Sequence, residues 1–412
     1  MATTAAEERH ATWLELFFDL VIVAAVAQLA HLLRDGPGTK QVFLFAVLYY
    51  AMWSVWTSFT LYANVAGALT RLRPMLVAMF GIAVMAASVP QLVRGEPRVF
   101  IIAYIACRLL GAGSWKRTSQ VMTEWPGVQQ AVGVIPWIAS LGWGPPARYW
   151  LWSAGIVVDV YFSIMQSRNP DQLLAEEQKD RDREQRSRME RFLRRGRRST
   201  PPPDLPALTA ARPDRPHLGE RLGLFVIIVL GEAVAQIVDA AAEVEHWDRG
   251  LWLVLLAGFG LLVAIWWLTL RYGTSAAPTY GVRVFALRLT MPAHYLTTGS
   301  IVVLAAGLGA LAGPEEEHVS QASRWVLCAG AALFFLTATI MGVRGGATRR
   351  WILLWGLPAI VVPVLLGFFG APLPPWSLVA VLLAVALWHV LYRRVAPAEE
   401  PVSLRSGDSP SS

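Results

Sequence analysis

Between residues 12 and 392 the chain is a succession of apolar runs, each close to the length of a helix that crosses a bilayer. Such a helix needs about 20 apolar residues, because at 1.5 Å per residue that length spans a hydrocarbon layer of roughly 30 Å. Twelve runs can be drawn, at 12–33, 41–64, 74–93, 98–115, 127–143, 148–167, 218–239, 250–271, 286–312, 322–343, 350–370 and 376–392. Charged residues make up 16% of the 412 and hydrophobic ones 55%. A water-facing surface needs about 25% charge, so a soluble globule is excluded. Only helices and closed barrels satisfy every backbone group in lipid, and the long unalternating runs select helices. The expected fold is an all-α polytopic helical membrane protein of about twelve transmembrane helices. Pro136 interrupts the fifth run, between Gly133 and Gly142, while Pro74, Pro90, Pro358 and Pro363 mark the third and eleventh.

Lys and Arg between the runs set the orientation. With the N-terminus inside, the inner segments hold 27 basic residues, thirteen of them in 168–215, and the outer ones hold 7. The excess of basic residues on the cytoplasmic side then places both termini inside the cell membrane. The pI of about 9.7 follows from the same loops, so it does not imply a nucleic-acid partner. The bilayer is the partner the pattern requires.

The division expected is an N-terminus of 1–11, a six-helix half of 12–167, a linker of 168–216, a second half of 217–395 and a disordered tail of 396–412. The linker begins with helix formers, acids first and arginines last, which suits the helix dipole. Its Pro-rich end, TPPPDLPALTAARPDRP, reads as a disordered connector, and its arginines could touch anionic lipid. An offset of 208 aligns Leu14, Phe17, Val21, Ala25 and Gln28 with Leu222, Phe225, Val229, Ala233 and Gln236. That is the trace of a 6+6 repeat, whose halves would be related by an axis along the membrane normal.

Ionisable groups inside a span cost several kcal/mol unless paired or hydrated, so they mark sites. WLELFFDLVIV places Glu15 and Asp19 four residues apart on one helical face. Two like charges there require a proton or a nearby cation. HLGERLGLFVIIVLGEAVAQIV places Glu220 and Arg221 at the inner end of the seventh run. Arg221 is expected to snorkel to the interface. Glu232 lies about 18 Å deeper beside Gly231, where another helix could approach. Arg108, Asp159 and His294 stand at similar depth. An Arg–carboxylate pair among Arg108, Asp159 and Glu232 is the simplest structural alternative. His294 could titrate near neutral pH or serve as a hydrogen-bonded core residue. Trp13, Trp115, Trp143, Trp150 and Trp376 read as interfacial anchors. Trp53, Trp56, Tyr62 and Asn64 read as core, or as the lining of an aromatic pocket. Cys107 and Cys328 read as buried thiols. No CxxC or Cys/His cluster, P-loop, HExxH, GxSxG or SxxK pattern is present, so neither cofactor nor metal is expected.

WLELFFDLVIVAAVAQLAHLL, WTSFTLYAN at 56–64, AYIACRLL at 103–110, RYWLWSAGIVVD at 148–159 and HLGERLGLFVIIVLGEAVAQIV at 217–238 together resemble the bacterial low-temperature-requirement A family, over most of 12–395. The resemblance places the family pattern on Glu15, Phe17, Phe18, Asp19, Tyr104, Arg108, Asp159, Glu220, Arg221, Gly231, Glu232 and His294. It departs after Asn64, where VAGALTRLR has no carboxylate in place of the family's acidic stretch. The family name describes a phenotype and implies no reaction. Three functions therefore stand open. The first is a proton- or cation-coupled transporter or channel for a small solute. The second is a membrane enzyme on a lipid or isoprenoid, with Glu15 and Asp19 as acid, base or metal ligands. The third is a non-catalytic membrane factor.

Overall fold

The computed structural model describes residues 10–34, 36–194, 204–273, 276, 285–313 and 319–395. The tail of 396–412 and linker residues 195–203 lie outside them. The elements are helices α1 (Trp13–Arg34), α2 (Thr39–Ala66), α3 (Leu72–Ala87), α4 (Val89–Val93), α5 (Arg98–Trp115), α6 (Val134–Ala139), α7 (Ala147–Gln166), α8 (Pro170–Arg194), α9 (Arg215–Ala242), α10 (Arg249–Tyr272), α11 (Leu287–Ala312), α12 (Gln321–Arg344), α13 (Arg349–Trp351), α14 (Leu357–Phe369) and α15 (Pro375–Val395). Two short strands, β1 (Gln120–Val121) and β2 (Thr209–Ala210), pair in parallel. The fold is all-α and polytopic. Among the described residues, eight helices are long and apolar enough to cross a membrane: α1, α2, α5, α9, α10, α11, α12 and the run Arg349–Phe369. Two shorter apolar helices, Leu72–Ala87 and Pro375–Leu391, accompany them.

Helix α1 shows why a membrane suits these helices. Glu15 and Asp19 are 2% and 0% exposed, whereas Trp13, Phe17 and Leu20 are 88%, 52% and 58% exposed. The acids face the protein and the apolar side chains face outward, the reverse of a soluble helix. The chain divides into two compact units. The first comprises residues up to Val229 together with Ala286–Tyr295; the second comprises Leu230–Phe285 and the residues from Leu296 onward. The first part of α9 and the start of α11 thus belong to the same unit as α1 and α2.

In the first unit α2 is the central helix. It is apolar all round and almost every side chain from Leu44 to Asn64 is buried. Around it the segment expected to be the fifth span is no continuous helix: it contains a 3-10 turn at Pro126–Val128, the six residues of α6 and a second 3-10 turn. It nonetheless runs antiparallel to α7. Gly127 N–H donates to Ser163 Oγ (3.1 Å), Gly133 N–H to Asp159 Oδ1 (3.2 Å), and Trp152 Nε1 to Ser140 Oγ (3.0 Å). From Trp152 to Ser163, α7 rises about 16 Å, so the broken segment follows half a bilayer. The close approach requires glycine. A Cβ on Gly155 would lie 2.6 Å from Gly133 O, and one on Gly133 2.4 Å from the Asp159 carboxyl.

The linker departs from the expected free connector. Pro170 opens α8 at a position where its missing N–H is harmless, and Glu184–Arg188 pairs one turn apart (2.6 Å). The Pro-rich stretch beyond residue 203 is held down. Thr209 N–H donates to Ser119 O and Ala211 N–H to Val121 O, closing the strand pair. Arg215 forms two 2.6 Å bonds to Glu124, whose carboxylate also accepts Leu287 N–H at the start of α11 (3.0 Å). Those N–H donors lie between the prolines, and composition alone hides them.

In the second unit α10 packs on α15 and α12 on α14. Gly307 and Gly330 let α11 and α12 touch by backbone: a Cβ on either would fall 2.5–2.6 Å from the other helix's main chain. Residues Ile352–Gly356 form a π-turn before Pro358. Proline frees the carbonyl four residues back, here that of Leu354, which accepts from Trp388 Nε1 (3.0 Å), while His389 Nε2 lies 3.0 Å from Trp355 O.

Candidate functional site

The first cluster gathers two i,i+4 pairs on parallel helix ends, Glu15 and Asp19 on α1 and His217 and Arg221 on α9. Helix α1 begins with a capping box. Thr12 is the N-cap, and its N–H and hydroxyl both donate to Glu15 Oε2 (2.8 and 2.9 Å). That reciprocal bond turns Glu15 toward α9. Arg221 is fully buried. Its Nε donates to Asp19 Oδ2 (3.0 Å) and its Nη2 to Asp19 Oδ1 (2.6 Å), a forked contact, while Nη1 stands 3.2 Å from Glu15 Oε1. The expected snorkelling of Arg221 is thus corrected: its guanidinium is drawn inward by two carboxylates. His217 Nε2 lies 3.4 Å from Glu15 Oε2, and its Nδ1 is 2.9 Å from Asn64 Nδ2. The Asn64 amide donates, so Nδ1 accepts and a neutral ring carries its proton on Nε2, toward Glu15.

Helix α2 runs antiparallel to α9 and supplies the cluster's back wall. Asn64 also brackets Asp214, and Thr60 Oγ1 stands 3.4 Å from Arg221 Nη2. Trp56 Nε1 donates to Asp19 Oδ1 (2.7 Å). The indole of Trp56 stacks on His294, with centroids 5.5 Å apart and planes at 16°. His294 is fully buried, accepts from Trp53 Nε1 at Nδ1 (3.2 Å) and places Nε2 3.3 Å from Leu222 O. It is therefore the hydrogen-bonded core histidine, neutral and with its Nε2 proton directed at the carbonyl. Phe18, one residue before Asp19, seats edge-on against Phe59 (6.1 Å).

The second cluster is the Arg108–Asp159 pair at the broken segment. Arg108 Nη2 lies 3.0 and 2.9 Å from the Asp159 oxygens and 3.1 and 3.0 Å from the carbonyls of Gly127 and Gln130. Both residues are 4% exposed. One guanidinium thus satisfies a carboxylate and the carbonyls that the missing helix leaves open, which irregular backbone at membrane depth requires. The cavity beside it, lined by Ser54, Thr57, Arg108 and Asp159 among others, has about 10 Å³, enough for one water. Tyr104 packs against Trp137 with centroids at 4.5 Å and braces the same wall.

The remaining candidates lie elsewhere. Glu220 is 36% exposed and accepts Ala11 N–H (3.2 Å), with His10 at 3.7 Å. Glu232 is half-buried in the second unit and accepts from Gln236 Nε2, one turn on (2.7 Å). A Cβ on Gly231 would meet open space, so the expected close helix approach there is not seen. Trp115, expected at the interface, is 2% exposed and meets Tyr62 edge-on, whereas Trp13, Trp143 and Trp150 are outward-facing. Trp56 and Asn64 belong to the site rather than to generic core. His217, Thr60 and Glu124 were not singled out in the sequence. The HLGER spacing, a histidine four residues before an arginine facing a Glu/Asp pair of equal spacing, is the signal that could have found His217.

The chain matches the family model for the bacterial low temperature requirement A protein over residues 10–387. It is also 24% identical to the uncharacterized protein RA0937 of Rhizobium meliloti (strain 1021), an alignment that covers 93% of this chain and 90% of the relative. That match embraces both buried acid–arginine clusters and all the helices around them, and the chain belongs to the bacterial low temperature requirement A family.

Proposed function

We propose that the protein is a proton-coupled transporter of the cell membrane, with both termini cytoplasmic and the Glu15–Asp19–Arg221–His217 cluster as its coupling group. One observation carries the reading: two carboxylates, at most 2% exposed, converge on the Arg221 guanidinium with the His217 ring beside them. Ionisable groups buried in a span are costly unless paired or hydrated, and such groups mark sites. The capping bonds from Thr12 hold the Glu15 carboxylate in place, while the fork from Arg221 holds Asp19. A buried carboxylate pair in which one member can exchange a proton while the other keeps its guanidinium suits coupling, and it stands at the end of α1 where the positive-inside count puts the cytoplasm. Twelve crossings in two six-helix repeats belong to the same proposal, with the broken segment as the fifth. Contact of the linker arginines with anionic lipid belongs to it too.

Coupling is assigned to this cluster rather than to Glu232, which already has the Gln236 amide and partial exposure. The enzyme reading is weaker, because the Arg221 fork occupies the carboxylates that would act as acid, base or metal ligand. A structural role fits Arg108 and Asp159 specifically, a one-to-one pair in which charge is balanced. In liposomes with an imposed pH gradient and the potential clamped by valinomycin and potassium, the wild type should dissipate the gradient faster than Glu15→Gln. Equal rates for wild type, Glu15→Gln and empty vesicles would overturn the proposal.

A further inference from the structure

A hollow of about 910 Å³ in the first unit lies between α8, the C-terminal ends of α5 and α7, and the broken segment. That is the size of a pocket for a sizeable ligand. Its two ends differ. Toward α5 and α6 it is lined by Leu109, Ala112 and Val132, and Leu109 and Val132 are outward-facing at 53% and 39% exposure. In a membrane those residues meet acyl chains. Toward α8 it is lined by Lys116, Arg117, Arg181 and Arg188 with Glu177, Asp180 and Glu184.

Pairing sorts these charges. Arg188 is held by Glu184 and Asp180 by Arg183, and Lys116 attracts Glu177. Arg117 and Arg181 are left with no carboxylate partner among the described residues. Arg181 gives Nη2 to Ser119 Oγ (2.8 Å), but its Nε is buried without an acceptor, and Gln166 Oε1 on the facing wall is buried without a donor. The hollow therefore offers two guanidiniums, an orphan donor and an orphan acceptor at one end and an apolar exit at the other. Guanidinium is the side chain best matched to phosphate. A hydroxyl beside the phosphate would satisfy Gln166.

We infer that this hollow is a binding site for an anionic glycerophospholipid whose headgroup carries hydroxyls, the phosphate on Arg117 and Arg181 and the chains leaving past Leu109 and Val132. The site gives a definite seat to the contact of linker arginines with anionic lipid proposed above, and it does not depend on the coupling cluster. A free organic phosphate shares the headgroup chemistry but leaves the apolar exit unused.

The test uses the purified full chain in neutral detergent, with thermal stabilisation read against dihexanoyl phosphatidylglycerol, dihexanoyl phosphatidylcholine and glycerol 1-phosphate. Phosphatidylglycerol should bind tightest. Arg117→Gln and Arg181→Gln should each weaken it roughly tenfold, the scale of one charge-assisted pair, while Arg183→Gln, on the exposed side of α8, should not. Gly113 lines the hollow, and a Cβ there meets nothing within 4 Å. Gly113→Leu should therefore fold at least as well as wild type, since glycine is a poor helix residue, and lose the lipid. It decides the matter if either arginine variant fails to fold. Equal binding of phosphatidylcholine, unaltered binding by Gly113→Leu, or glycerol 1-phosphate binding as tightly as the lipid would each overturn the inference.

Discussion

Removing the Arg221 cation and removing one of the two anions beside it should have very unequal consequences for the cluster. Arg221→Gln takes away two hydrogen bonds to Asp19, of 3.0 and 2.6 Å, and the 3.2 Å contact to Glu15. Asp19 is then left at 0% exposure with the Trp56 N–H. Stranding one buried charge costs about 3–5 kcal/mol, and Asp19 loses both arms of its fork. Glu15→Gln keeps the fork to Asp19, although it weakens the capping box by roughly 1 kcal/mol. The assay is unfolding of detergent-purified protein followed by fluorescence size exclusion after heating. Arg221→Gln should be unfolded or should melt far below wild type, and Glu15→Gln should stay within a few degrees of it. The double variant Arg221→Gln with Asp19→Asn should recover part of the loss, a coupling that a double-mutant cycle isolates. If Arg221→Gln melts with the wild type, the cluster is hydrated and the charge argument fails.

Further outcomes follow from single features. Asp159→Asn strands Arg108 and loosens the broken segment with it, so it should destabilise by about 3–5 kcal/mol, seen as faster proteolysis between α5 and α7. Gly155→Ala drives a Cβ to 2.6 Å from Gly133 O and should cost about 1–3 kcal/mol, read as a lower melting temperature. Glu232→Gln should fold normally and keep wild-type pH-gradient dissipation, since Gln236 can turn its amide to match. Glu177 on α8 is held above its ordinary value of 4.5, first by burial and then by repulsion from Asp180, against attraction from Lys116. A raised carboxyl favours the docked helix below the unfolded value and ceases to do so as pH rises through the folded value. Hydrogen exchange along 170–194 should therefore be more protected at pH 4 than at pH 7, and Glu177→Gln should level the two.

The helices could be read in the sequence because membrane length is a property of each run alone. Eight long apolar helices stand where eight runs were drawn. The acidic pair was legible because a four-residue spacing fixes one face, and Arg221, expected to snorkel away, proved to be a nearby cation of the kind the pair requires. What was hidden depends on neighbours. Gly133, Pro136 and Gly142 announced weakness in the fifth run, yet that it would trace α7 as broken backbone depends on Arg108 reaching two carbonyls. The Pro-rich linker looked free because prolines dominate its composition, while the N–H groups of Thr209 and Ala211 between them and the Arg215 guanidinium do the anchoring. Glu232 looked like the deepest acid by counting residues, but depth along a helix says nothing of which face meets solvent or a Gln one turn on.

The most direct test of the coupling claim is charge displacement on a solid-supported membrane after a pH jump, with no solute added. Wild-type protein should give a transient, carried by proton exchange at the carboxylate pair of the cluster. Glu15→Gln, folded and with the fork from Arg221 to Asp19 intact, should give none, and Glu232→Gln should give the full wild-type transient. A wild type with no transient, or a Glu15→Gln transient equal to the wild type, would contradict the account.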